Sequence, residues 1–366
     1  MTPPAVARPA PPASSAFATA LRHWDLRNAY KARRLPGAAG SRCALDTPAG
    51  RFVLREVRAD PSHLAYEVRV IDHLATAGFP YRLPRPLPTR DGAAFASEGD
   101  VHWLLYAWID GRTAPRPRTT ARAADVARLV AATERALTDL DLGDRAGRFR
   151  RPPDERAKTV ATLASAARWL RDRHPRRRLA RAIAAHGTAV ARAVELPDDT
   201  VAALRRLPMS SAFADWRHGN LLARSGRLVA LLDFDGLAEV PRVADVQNAL
   251  THVLASAPVF RTPRLVAFAR ALGAAFPLAP DEAALVPAAM RERLPVLIAA
   301  LLDEVRARGR FGATARRTLA LVGVARWLDA NESRLVDALA THATGRPGAA
   351  VPRRAAPADG PGAEAS

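Results

Sequence analysis

Three residues in one short stretch have the types and spacing to do chemistry together. In "FADWRHGNLLARSGRLVALLDFDG", residues 213–236, four residues separate Asp215 from Asn220, and Asp233 closes the apolar run that follows. A carboxylate can take the proton of an attacking hydroxyl, while an amide oxygen and a second carboxylate are hard donors suited to a divalent cation. An acid at the end of a buried run is costly unless it is paired, hydrogen-bonded or metal-bound. Asp215 is thus able to accept a proton, and Asn220 with Asp233 to bind a metal. The bland alternative has Asp233 capping a turn and Asn220 filling a left-handed loop position. With 24 Asp and 4 Asn in the chain, chance supplies the first spacing in about one such chain in four, so context must decide.

The context is a set of elements able to hold these groups. After Asn220 come "LLA", an "RSG" turn and "RLVALLD". Two short strands in a hairpin return the chain so that Asp233 ends near Asn220. Upstream, "YKARRLPGAAGSRCALDTPAGRFVLREV" reads as three strands joined by the turns "LPGAAGS" and "TPAG". "DPSHLAYEVRVIDHLATAGF" follows as the single helix of this part: Asp60 caps it and Pro61 suits its first position. Leu64, Val68, Ile71 and Leu74 form its apolar face, and Gly78 ends it. "VHWLLYAWIDGR" supplies a further strand running into a Gly turn. From about 118 to 343 the chain is mostly Ala/Leu/Arg segments with helical periodicity. The order β-β-β-α-β followed by helices predicts an α+β chain of two lobes, a small antiparallel-sheet N-lobe and a large, mostly helical C-lobe, with a cleft between them. The expected boundaries are a disordered tail over 1–14, an N-lobe over 15–106, a C-lobe carrying both loops over 107–345, and a second disordered tail over 346–366.

Composition narrows the class. The 366-residue chain is 49% apolar, and no segment approaches 18 uninterrupted apolar positions, so no membrane span is expected. "LPVLIAALL" at 294–302 is bounded by charges and reads as a core helix. The prolines of the opening "MTPPAVARPAPPASSAFATAL" argue against a signal peptide and for a cytoplasmic protein. The single cysteine, Cys43, excludes an internal disulfide and a Cys-based metal site, and reads as a packing residue. Net charge is +19, carried almost wholly by arginine, since only Lys31 and Lys158 are lysines. Such a surface favours anionic partners such as nucleotides and phosphorylated metabolites. Nucleic acid is the weakest of these readings, because no nucleic-acid motif and no interleaving of aromatic with basic residues accompanies the charge.

Protein kinases use the D-x-x-x-x-N spacing, with the Asp orienting the acceptor hydroxyl and the Asn on a metal ion, and "DFD" matches their D-F-G in two positions. More closely, the chain resembles the aminoglycoside phosphotransferase/choline kinase-like family. The usual signature of that family is H-G-D-x-x-x-G-N, a hairpin, I-D-F or I-D-W, then P-x-x-D. This chain has "FADWRHGN", "LLDF" and "PRVAD", which places Asp215, Gly219, Asn220, Asp233 and Asp245 on matching positions. "LPGAAGSRCALDTPAGRFVLRE" resembles the family's nucleotide loop and following strand, and "LLYAWIDGR" its interlobe linker. The likeness spans roughly residues 25–260. It implies a protein-kinase-like fold and transfer of the terminal phosphate of ATP (or GTP) to a hydroxyl of a small molecule, with Mg2+ as cofactor. By the same likeness Asp215 and Arg217 are the catalytic candidates and Asn220 and Asp233 hold the metal. Gly37, Gly40, Ser41, Arg55, Glu67, Tyr106 and Trp108 would hold the nucleotide: the first three at its phosphates, Arg55 ordered by Glu67, and its base against the linker from Tyr106 to Ile109.

The chain departs from the pattern in four places. Phe213 stands for the family's His, Ala214 for its Gly, Arg55 for its Lys, and Asp245 lies one residue late. Arg is larger and planar where Lys is a point charge, so the competing reading is a weak or inactive pseudokinase that senses nucleotide or serves as a scaffold. His218 stands where proline is usual and carries no assigned role. Aminoglycosides are polycations, and a +19 chain favours a neutral or anionic acceptor over them. Asp141, Asp144, Asp154 and Glu155 are the acids that could line a pocket against that argument. The Arg-rich run 171–181 reads as a solvated helix face, with anion binding as the alternative.

Overall fold

The computed structural model describes residues 15–26, 31–35, 42–138, 140, 155–192, 196–256, 262–309 and 311–345. Gly37, Gly40, Ser41, Asp141, Asp144, Asp154 and both expected tails lie outside them. The chain divides into two compact units, Met1–Arg112 with Val229–Asp235, and Thr113–Leu228 with Gly236–Ser366.

The first unit contains α1 (Ser15–Ala20), β1 (Lys31–Arg34), β2 (Arg42–Thr47), β3 (Gly50–Val57), α2 (Pro61–Thr76), β4 (Ala96–Glu98) and β5 (Val101–Ala107). The strands form one antiparallel sheet in the order β1-β2-β3-β5-β4. The β2–β3 turn is closed locally. Thr47 Oγ1 accepts from Ala49 N at 3.1 Å and donates to Gly50 O at 2.9 Å, and Gly50 takes φ 127°, a conformation open to glycine. Helix α2 starts as its sequence predicts, with Asp60 accepting from Ser62 N at 2.7 Å and Pro61 in the first turn. Side chains alternate across β5. Trp103 and Leu105 join Phe17, Leu21, Leu45 and Leu54 on one face, and Leu104 and Tyr106 meet Leu64 of α2 on the other.

Two elements differ from expectation. Helix α1 is a second helix in this unit, but its six residues are too few to show a period. Strand β4, three residues long, exists through pairing with β5 and has no pattern of its own.

A short strand, β6 (Arg112–Thr113), carries the chain into the second unit. There follow α3 (Thr120–Leu137), α4 (Glu155–Arg173), α5 (Arg178–Arg192), α6 (Asp198–Arg206), β7 (Met209–Ala212), β8 (Leu221–Arg224), β9 (Arg227–Leu231) and β10 (Ala238–Pro241). The helices α7 (Arg242–Leu254), α8 (Thr262–Ala275), α9 (Pro280–Arg308) and α10 (Gly312–His342) complete it. The expected 294–302 core helix is part of α9, where Leu294, Ile298 and Leu302 are buried. Helix α10 bends at Asn331, whose φ and ψ are −141° and 24°. Among the described residues no helix is long and apolar enough to cross a membrane.

Candidate active site

The Asp215 loop leaves the two-stranded pairing of β7 with β10, in which Ala212 faces Ala238. Beyond that pair the strands separate, and residues 213–220 form an irregular loop ending in a 3-10 turn over His218–Asn220. An exposed loop would not hold a carboxylate in one place, but this one is bracketed from several sides. Asp245, fully buried in the first turn of α7, accepts from Ala214 N at 2.7 Å. Asn248, one turn on, accepts from Trp216 N at 3.1 Å. Asn220 Nδ2 donates to Asp215 O at 3.0 Å and to Asp215 Oδ2 at 2.9 Å. Arg217 Nε donates to both Asp215 carboxylate oxygens at 2.7 and 2.9 Å, with Nη2 adding a third bond to Oδ2. Asp215, Arg217 and Asn220 thus form one cluster.

The departures from the family pattern find their places here. Phe213 is fully buried and packs on Trp216 with ring centroids 4.9 Å apart, so the position is filled by apolar packing. Ala214 takes φ 58°, the left-handed region a glycine enters without strain. Its N–H is the one Asp245 holds, so the strained residue and its brace are a single feature. Asp245 itself is braced by Glu134 of α3. Both carboxyls are buried, at 2% and 0% exposure. Burial, and then the charge of Asp245, push Glu134 well above the usual carboxylate range, and burial raises Asp245 as well.

Sequence reasoning missed three residues of this cluster, Asn248, Glu134 and Gly236. Glu134 had a signal, since it falls on the apolar stripe of α3 with Ala127, Val130 and Leu137. Gly236 follows "DFD" directly, and a Cβ built on it would lie 3.1 Å from Asp215 Cβ and 3.4 Å from Phe213 O. By contrast, a Cβ at Gly219 would meet nothing within 4 Å.

Asp233 belongs to the first unit together with Arg55 and Glu67. Arg55 and Glu67 are buried, and Arg55 Nη1 donates to Glu67 Oε1 at 2.7 Å. Burial pulls the Arg55 guanidinium down, but Glu67, Tyr106 and Asp233 outweigh it and hold it above the arginine range. Arg55 Nη2 stands 3.9 Å from Asp233 and 3.8 Å from Asp235. Arg42, at the start of β2, donates to Asp233 Oδ1 at 2.5 Å. Asp233 has φ 69°, a position that Asp tolerates better than most residues. The Tyr106 ring is buried, with its hydroxyl 3.5 Å from Arg55 Nη1, so its side chain faces the core. Trp108 donates its backbone N–H to Arg51 O at 2.9 Å, and the Arg51 guanidinium lies 4.2 Å from its ring centroid.

The donor chemistry suits a hard cation. Asn220 spends its amide N–H groups on Asp215, and among the described residues its oxygen accepts no bond. Asp233 already carries a cationic group, Arg42. Among the described residues no group of three or more His, Cys, Asp and Glu side chains could hold a metal by itself. A cation on either residue would take its other ligands from elsewhere, and Mg2+ commonly takes them from bound phosphates and water.

The model of the phosphotransferase enzyme family matches residues 31–286. No curated protein matches the chain. Solved structures share the fold at low identity. An aminoglycoside phosphotransferase from Alicyclobacillus acidocaldarius superposes with a TM-score of 0.55 at 17% identity, over 85% of this chain and 96% of that one. An amicoumacin kinase in complex with AMP-PNP, Ca2+ and Ami gives 0.61 at 14% identity, over 88% and 92%. A microcompartment-associated aminopropanol kinase gives 0.62 at 16%, over 88% and 98%. The fold is therefore α+β, two-lobed and protein-kinase-like. With a family match across well over half of its length, the chain belongs to the phosphotransferase enzyme family, the aminoglycoside phosphotransferase and choline kinase-like group that its motifs resemble.

Proposed function

We propose that the protein is a small-molecule kinase that moves the terminal phosphate of ATP (or GTP) to a hydroxyl of its acceptor, with Mg2+ as cofactor. The observation that carries this reading is the bracing of Asp215. Backbone bonds to Asp245 and Asn248 and side-chain bonds from Asn220 and Arg217 converge on one loop and hold one carboxylate. Phosphoryl transfer depends mainly on positioning and charge neutralisation, so a fixed carboxylate is what the reaction needs. Asp215 orients the acceptor hydroxyl and takes its proton. Arg217, already on that carboxylate, lies where charge develops on the transferred group. Asn220 and Asp233 would hold Mg2+, which when bound draws charge from the nucleotide phosphates. Arg55, ordered by Glu67, and Arg42 are the cations of the first unit available to those phosphates. A solved structure of the same fold, the amicoumacin kinase, is held with AMP-PNP and Ca2+.

One observation favours a second reading, a nucleotide-binding protein without turnover. Both acids of the chemistry carry an arginine, Arg217 on Asp215 and Arg42 on Asp233. A phosphorylation screen over a metabolite panel separates the two, with Asp215→Ala as the blank. A kinase gives transfer that vanishes in Asp215→Ala while Mg2+–ATP still raises the melting temperature, and that thermal shift vanishes in Asp233→Ala. Binding without transfer across the panel selects the second reading, and the absence of a thermal shift with either Mg2+–ATP or Mg2+–GTP sinks both.

A further inference from the structure

Two arginines stand directly opposite one another in the sheet of the first unit. Arg42 of β2 pairs in register with Arg55 of β3, so both side chains leave the same face, the one that carries Val53, Leu104 and Tyr106. Like charges in directly opposed positions destabilise a strand pair. Here carboxylates from two other elements supply the counter-charge. Glu67 of α2 accepts from Arg55 Nη1 at 2.7 Å, and Asp233, two residues beyond β9, accepts from Arg42 Nη2 at 2.5 Å. Arg55 Nη2 lies 3.9 Å from the same Asp233 oxygen, Oδ1, and 3.8 Å from Asp235. All five residues belong to one compact unit. The two arginines are nevertheless held differently. The Arg55 side chain is 9% exposed and its partner Glu67 is buried, so breaking that pair would strand a buried charge. The Arg42 side chain is 33% exposed. A partly solvated guanidinium on a long stem can leave its partner at small cost, because water replaces much of the interaction. Asp233 is the proposed metal residue, and an oxygen held by a guanidinium cannot at the same time ligate a cation. Arg42 also follows directly on Ser41 in the chain, at the end of the segment proposed to meet the nucleotide phosphates.

We infer that Arg42 is a second phosphate-binding residue beside Arg55, paired with Asp233 until that carboxylate is given to a cation and then turned to the phosphates of the nucleotide. The inference rests on the proposed function in taking Asp233 as a metal residue and Arg55 as a phosphate residue, and on nothing about the acceptor or turnover. One side chain then couples the two ligands. Toward a cation alone, Arg42 is a competitor for Asp233, and the apparent affinity is scaled by the fraction of molecules in which the pair is open. Toward a cation with nucleotide, the guanidinium exchanges one anionic partner for another, and its fork fits two phosphate oxygens. Loss of Arg42 therefore acts in opposite directions on the two ligands, whereas a role confined to bracing Asp233 would make its loss weaken both.

The test measures binding to the whole protein. Mn2+ alone is the metal probe, followed by loss of its free-ion EPR signal, and Mg2+–ATP and Mg2+–GTP are followed by titration calorimetry. In Arg42→Gln, Mn2+ binds at least threefold more tightly than in wild type, and the preferred Mg2+–nucleotide binds at least tenfold more weakly. Arg42→Lys, which keeps the charge and loses the fork, falls between wild type and Arg42→Gln in nucleotide affinity. Asp233→Ala removes the Mn2+ site whether or not Arg42 is present. Mn2+ bound equally or more weakly in Arg42→Gln, nucleotide affinity unchanged there, or Mn2+ binding that survives Asp233→Ala overturns the inference. Phosphate transfer is measured separately. Opposed shifts without transfer to any acceptor leave the inference standing and remove the kinase reading. Transfer by wild type, with both affinities falling together in Arg42→Gln, does the reverse. A wild-type protein that binds neither Mg2+–ATP nor Mg2+–GTP overturns both.

Discussion

Ala214 holds a left-handed backbone angle directly before the residue proposed to orient the acceptor. An alanine in that region costs about 1–2 kcal/mol, and the extra unfolded-state freedom of a glycine returns about 0.4–1 kcal/mol of that. Ala214→Gly is therefore expected to stabilise the protein by up to about 1 kcal/mol, where Ala→Gly changes ordinarily destabilise. A denaturant midpoint shifted clearly downward would contradict the φ of 58°. Gly236 makes the complementary case. Its missing Cβ leaves room for Asp215 Cβ, which would otherwise lie 3.1 Å away. Gly236→Ala displaces the carboxylate by a few tenths of an ångström or more, and misplacements of that order lower turnover by roughly tenfold to a hundredfold. Steady-state assays should find kcat reduced and the thermal shift by Mg2+–ATP retained. An unchanged kcat would mean that the loop yields without consequence.

At the scale of elements, the brace on the Asp215 loop runs through two helices. Glu134 of α3 and Asp245 of α7 are buried acids that shift each other's titration, and Asp245 accepts from the loop. The raised affinity of Glu134 for its proton sets a sign. A native carboxyl that titrates above its unfolded value, about 4.3, contributes stability that is complete below that pH and is lost as pH rises toward the folded value. Glu134→Gln keeps an N–H donor to Asp245 and cannot lose a proton. Relative to wild type the variant should gain stability from about pH 4.3 upward, with a slope of at most about 1.4 kcal/mol per pH unit for the single proton. Thermal melts from pH 4.5 to 8.5 read this directly, and parallel curves for the two proteins would contradict the raised titration of Glu134. Elements were legible where their signals were local. The Asp60–Pro61 start of α2 and the Thr47–Gly50 turn depend on neighbours in sequence. Strand β4 was not, because three residues cannot outweigh chain entropy alone and form only against β5.

For the molecule as a whole, a net charge of +19 creates a long-range field that attracts any polyanion. Random-sequence DNA is expected to bind weakly at low salt, with affinity falling steeply as salt rises and without change in Asp233→Ala. Tight binding that persists at 0.2 M salt would require a dedicated nucleic-acid surface.

The types and spacing of Asp215, Asn220 and Asp233, and the order of strands before helices, were written in the chain itself, because periodicity and loop chemistry are local properties. The matching of Asp245 to the family pattern left its role open, and the structure gives it one, a buried acceptor for the N–H of Ala214. The partner of Glu134 and the close approach at Gly236 were decided by tertiary structure. Each acts through a partner at least 21 positions away, Asp245 for Glu134 and Asp215 for Gly236. Burial and proximity between distant segments exist once the chain has folded, and they decide which carboxyls lose their water and which backbone can approach which side chain.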